Sequence, residues 1–128
     1  MSSAVLDASA LLALLNQEEG SDQVAELVGV GAAVGTVNLS EVVAKLSSVG
    51  MPEAEIRASL DPLGLEIVPF DAELAYRAAL LVGPNRALGL SLGDRACLAL
   101  AAHAGLPAVT ADRAWRQLVL DVQIRVIR

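Results

Sequence analysis

The chain has 128 residues, 55% of them hydrophobic, which suffices for one core and is too short for two, since chains of this size hide roughly two-thirds of their unfolded surface. Aromatic residues make up 2% (Phe70, Tyr76, Trp115), which argues against a stacking platform for single-stranded bases. A net charge of −6 and a pI near 4.6 argue against holding nucleic acid by bulk positive charge. Mean hydropathy is +0.56, yet no apolar run reaches the roughly 18 residues of a membrane span. The amino-terminal segment has no basic region followed by a long apolar one, because Asp7 arrives too early; a cytoplasmic protein with no membrane association is expected. The single cysteine, Cys97, has apolar neighbours and reads as core.

In chain order, short apolar runs alternate with helical patterns across a single domain, 1–128. Ala4-Val5-Leu6 is a brief strand, followed by a helix from Ser9 that ends near Glu19-Gly20 and a second that Ser21 can cap, to about Val28. Residues 32–36 form the second strand. Asn38 to Ser48 is a helix stopped by Gly50, and Pro52 opens another that ends near Pro62-Leu-Gly64. Leu65 to Phe70 is the third strand, and an alanine-rich helix runs from Asp71 to Val82. After a polar loop, Ser91 to Ala104 is a helix with a broad apolar side, ended by Gly105-Leu-Pro107. Ala108-Val-Thr110 is the fourth strand, Asp112 to Leu118 a short helix, and Val122 to Ile127 a last strand with one wetter face. Five strands and about seven helices in this order predict an α/β domain with a mostly parallel sheet covered on both faces, because parallel strands need crossover connections.

Four acids share a topological position, just beyond a strand or in the first turns of a helix: Asp7, Glu41, Asp94 and Asp112. The crevice beyond the carboxyl ends of parallel strands is where such folds bind ligands, so acids there converge although they are distant in sequence. Two carboxylates about 5 Å apart repel by roughly 3 kcal/mol at an effective dielectric of 20. A convergent group therefore needs protonation or a hard cation, and oxygen ligands suit Mg²⁺ or Mn²⁺. Each acid also has a plainer reading. Asn38-Leu-Ser-Glu41 and Ser91-Leu-Gly-Asp94 have capping-box spacing, and a carboxylate such as Asp112 is favourable at a helix start. Asp7 is the hardest to explain in this way, because it interrupts an apolar stretch where an unpaired carboxylate is costly.

The segments Val5-Leu-Asp-Ala-Ser-Ala-Leu-Leu-Ala, Thr36-Val-Asn-Leu-Ser-Glu-Val, Leu90-Ser-Leu-Gly-Asp-Arg-Ala-Cys-Leu-Ala-Leu-Ala and Val109-Thr-Ala-Asp-Arg-Ala-Trp115 occur in this order. In them the sequence resembles the PIN-domain ribonucleases, and among these the VapC toxins of type II toxin–antitoxin pairs. The resemblance runs from end to end and implies a PIN fold with catalytic, metal-binding acids at Asp7, Glu41, Asp94 and Asp112. It places supporting hydroxyls at Ser9 and Thr110. It further implies a Mg²⁺- or Mn²⁺-dependent endoribonuclease, a homodimer, and inhibition by a cognate VapB-type antitoxin. On this expectation Asp7, Asp94 and Asp112 hold one ion, with Glu41 near a second.

The alternative is a catalytically silent PIN-like module that binds RNA or protein, which intact acids at all four positions disfavour. A receiver domain wants paired acids after the first strand and a late lysine, whereas the only lysine here is Lys45. A haloacid dehalogenase-type phosphatase wants Asp-x-Asp, where this chain has Asp7-Ala-Ser9. The lone His103 reads as a solvated residue near a helix end. Residues 1–76 carry 2 bases and 12 acids, and residues 77–128 carry 7 bases and 3 acids. Arg86, Arg95, Arg113 and Arg116 in the basic half are expected contacts for substrate phosphates.

Overall fold

Among the described residues five strands order β3-β2-β1-β4-β5 in one sheet, and every pairing is parallel. They are β1 (Val5–Leu6), β2 (Ala33–Gly35), β3 (Glu66–Val68), β4 (Ala108–Thr110) and β5 (Ile124–Val126). The computed structural model describes residues 2–128, so the first residue of the expected domain, Met1, lies outside the described residues. Among the described residues six α-helices connect the strands: α1 (Ala8–Leu15), α2 (Ser21–Val30), α3 (Thr36–Ser48), α4 (Glu53–Leu60), α5 (Ala72–Leu80) and α6 (Leu92–Ala104). Short 3-10 turns occupy Asp61–Leu63, Arg86–Leu88 and Arg113–Gln117. The expected seventh helix, Asp112 to Leu118, is the last of these turns.

Side-chain alternation sorts the core into two layers. Leu6, Val34 and Val109 face one side of the sheet, against Ala10, Leu11, Val24, Val42 and Ile56 of α1 to α4. Val5, Ala33 and Ala108 face the other, against Leu74 and Ala78 of α5, the buried run Cys97 to Ala101 of α6, and Trp115. Cys97 is thus core, as its neighbours imply. At the sheet edge β5 exposes Arg125 between two half-buried residues, which is the wetter face expected there. The chain end folds back on the α1–α2 turn: Gly20, at φ +94°, approaches Ile127 so closely that a Cβ would overlap it. Beside that contact Arg128 pairs with Glu18 at 3.1 Å.

Several helix starts differ from expectation by one or two residues. Helix α1 begins at Ala8 because Asp7 caps it, and α2 is preceded by Gly20, which leaves Ser21 inside the helix. Pro52 is the residue before α4. Helix α3 begins at Thr36, immediately after β2, with Gly35 before it. Asn38 therefore lies inside the first turn, and the capping-box reading of Asn38–Glu41 fails. The corresponding reading of Ser91–Asp94 holds, with both reciprocal bonds present at the start of α6.

Candidate active site

Strand order reverses at β1: β2 and β3 lie to one side, β4 and β5 to the other. In parallel sheets such a switch point opens a crevice at the carboxyl ends, and Asp7 is the residue that leaves β1 there. Its side chain is 5% exposed and fully engaged. Oδ1 accepts from Ala10 N at 2.8 Å and from Ser9 Oγ at 2.7 Å, while Oδ2 accepts from Thr110 Oγ1 at 2.5 Å. Thr110 ends β4, the neighbour of β1, so the sheet itself delivers this hydroxyl. The two hydroxyls accept in turn from the backbone, Ser9 Oγ from Ala111 N at 2.9 Å and Thr110 Oγ1 from Asp112 N at 3.0 Å. With both hydroxyl protons directed at Asp7, each hydroxyl relays a backbone dipole to the carboxylate.

These bonds favour the ionised form of Asp7, yet burial outweighs them. Desolvation lifts the carboxyl from 3.8 to about 6, and the negative charge of Asp94 adds to the rise. Glu41 is raised in the same direction by partial burial, opposed by its bond from Asn38 and reinforced by Asp94. The thiol of Cys97 is pushed well up, first by burial and then by Asp7, Asp94 and Glu41 together. The field of three of the four predicted acids thus converges on one region, from β1, α3 and α6.

Asp94 uses Oδ2 to accept from Ser91 N at 3.0 Å, while its own N–H donates to Ser91 Oγ at 3.1 Å. Glu41 is exposed, and its carboxylate rests on Gly93. Beside it opens a shallow cleft lined by Thr36, Val37, Ser40, Ser91, Leu92 and Gly93. A larger, apolar cleft between α3, α4 and β3 is lined by none of the four acids. Asp112 joins the group through its backbone, whereas its carboxylate caps the 113–117 turn by accepting from Ala114 N at 2.9 Å. The capping reading of this residue is therefore satisfied.

None of the ion pairs among the described residues involves the four acids, so no basic side chain forms an ion pair with the negative charge of the region. The donor set is entirely oxygen, which fits a hard divalent ion. Among the described residues no three His, Cys, Asp or Glu side chains close into a ready-made metal cage. Mg²⁺ commonly keeps several waters and takes only one or two carboxylates besides substrate phosphate.

The predicted arginines are placed differently. Arg86 and Arg116 are exposed on the second and third 3-10 turns. Arg113, also exposed, donates from Nε to the Arg128 carbonyl at 2.9 Å. Arg95 is half-buried on α6, and its Nε has no partner among the described residues. Sequence reading passed over Asn38 as a site residue, because the residues it joins lie in two separate segments: it bonds both Glu41 and Gly93.

The PIN domain family matches residues 4–119. This chain belongs to the PIN domain family. Solved structures with the same fold include VapBC from Salmonella typhimurium bound to DNA, with 17% identity, TM-score 0.79 and full coverage of both chains. VapBC2 from Rickettsia felis, bound to a promoter DNA fragment, has 16% identity and TM-score 0.75, over 94% of this chain and 96% of that one. VapBC-5 from Mycobacterium tuberculosis has 23% identity and TM-score 0.62, over 100% and 99%. No curated protein matches this PIN domain by sequence. Among the described residues no helix is long and apolar enough to cross a membrane.

Proposed function

We propose that this PIN domain is a metal-dependent endoribonuclease of the VapC type, the toxin of a type II toxin–antitoxin pair. The observation that carries this reading is Asp7: a buried carboxylate at the switch point, raised to about 6 by burial with a further contribution from the charge of Asp94, and with no base paired to either. Holding such a group costs stability, and a bound cation would offset that cost. Asp7, Asp94 and Glu41, with Asp112 at the rim, would hold Mg²⁺ or Mn²⁺. When bound, the ion supplies charge neutralisation at the phosphodiester and acidifies a water for in-line attack.

The chain's own residues do the positioning. Ser9 and Thr110 lock the Asp7 rotamer and keep its charge available at neutral pH. The capping box fixes one oxygen of Asp94, so that its carboxylate cannot swing away. Arg86, Arg113 and Arg116 carry positive charge that no acid among the described residues neutralises, as phosphate contacts require. A VapB-type antitoxin is the expected partner, in keeping with neighbours that are toxin–antitoxin complexes. Tyr76 and Leu80, one turn apart and both exposed on α5, offer an apolar surface for a homodimer.

The test is cleavage of structured RNAs by the purified chain in Mg²⁺, in EDTA and as Asp7→Asn. Cutting is expected only in the first condition. Cutting that survives EDTA or the substitution contradicts the metal site, and a wild-type chain that binds RNA without cutting it favours the silent-module reading.

A further inference from the structure

Asn38 is 1% exposed in the first turn of α3, and both protons of its amide are spent across the site. Nδ2 donates to Glu41 Oε1 at 3.1 Å and to the Gly93 carbonyl at 3.0 Å. Its Oδ1 has no partner among the described residues. The amide cannot be turned over to improve this, because its oxygen would then face two other acceptors. A buried amide with an orphaned oxygen is costly, and asparagine is a poor helix former. The start of α3 does not require it either, since Gly35 precedes the helix. What Asn38 provides is a bridge between the Glu41 carboxylate and the amino end of α6.

Gly93 provides the floor. It lies in the first turn of α6, without a left-handed backbone that would call for glycine, yet a Cβ there would overlap both carboxylate oxygens of Glu41. The obstruction is the far end of a flexible side chain, so alanine would displace the carboxylate and leave the helix intact. We propose that Asn38 and Gly93 are positioning residues that seat the Glu41 carboxylate on the start of α6, beside Asp94. The functional consequence rests on the nuclease reading: the seat fixes where Glu41 meets a divalent ion.

Stability and function should then move apart. In Gly93→Ala the melting temperature is unchanged or higher, because alanine favours a helix over glycine. Its Mn²⁺ dissociation constant, read from the EPR signal of free Mn²⁺, rises about tenfold or more, the usual loss when a ligand's supporting contact is removed. Cleavage falls through kcat. In a Glu41→Ala background the same Gly93→Ala change alters Mn²⁺ affinity and kcat by less than about twofold, because its target is gone. A Gly93→Ala chain that binds and cuts like wild type overturns the proposal, as does an equal loss with Glu41 absent. Failure of the nuclease reading is seen separately, as a wild-type chain that neither binds Mn²⁺ nor cuts RNA. The Asn38 side-chain amide resonances then still decide the seat: they shift in Gly93→Ala if it exists, and their staying in place overturns it.

Discussion

Asp7 concentrates the electrostatic cost of the site in one residue. Burial raises its carboxyl from 3.8 to about 6, so between those values the folded protein holds a proton that the unfolded chain has released. The stability this group contributes is complete below the lower value and is lost as pH rises through the upper one. At neutral pH the separation corresponds to about 3 kcal/mol of destabilisation. Asp7→Asn removes the charge and retains an acceptor for the Ala10 amide. Urea unfolding at pH 7.5 should find the metal-free variant more stable than wild type by about 1–3 kcal/mol, with the gain absent at pH 4. A variant less stable than wild type at pH 7.5 would show that the hydrogen bonds to Asp7 outweigh its desolvation. The anomaly of Asp7 is visible in sequence, as an acid inside an apolar run. The donor from Thr110 is not derivable from spacing, because it arrives from a strand 103 residues away.

At the level of elements, the amino end of α6 carries its cap and, on the proposed reading, a metal ligand in the same few atoms. Ser91→Ala deletes the hydroxyl that accepts the Asp94 amide and should cost about 1 kcal/mol. Asp94→Asn keeps a side-chain oxygen for the Ser91 amide and relieves repulsion on Asp7 and Glu41. Its thermal stability should therefore lie within about 0.5 kcal/mol of wild type or above it, while RNA cleavage is lost. A larger loss in Asp94→Asn than in Ser91→Ala would make the residue a cap and nothing more. The same two helix starts mark the limit of local pattern. Ser91–Asp94 and Asn38–Glu41 have identical spacing, but only the first forms a capping box. The second is diverted because β2 runs straight into α3 through Gly35, and because Asn38 finds the Gly93 carbonyl 55 residues away. Helix and strand periodicity still locates all five strands and six helices; the Asp112–Leu118 pattern, too short to sustain an α-helix, settles as a 3-10 turn.

Over the whole molecule, alternation of strand and helix predicts parallel pairing but not strand order. The crossover that sets β4 beside β1 brings Thr110 to Asp7, and that proximity exists only once the chain is folded. The described strands all point one way, so their carboxyl ends share one edge, and the charges of Asp7, Glu41 and Asp94 act together on Cys97. The uneven charge also gains meaning. A chain of net −6 is ill suited to bulk attraction of RNA, whereas on the proposed reading a cation held by the acids, with exposed arginines, would suit contact with a single phosphodiester. That claim is tested most directly by calorimetric titration of Mn²⁺ into the metal-free protein at pH 6, in two buffers of different ionisation enthalpy. Asp7 is about half protonated at that pH, so binding should release about half a proton per ion from wild type and almost none at pH 7.5. Asp7→Asn should bind far more weakly. Wild-type binding with no proton release at pH 6, or an unchanged affinity in Asp7→Asn, would contradict a divalent-ion site built on Asp7.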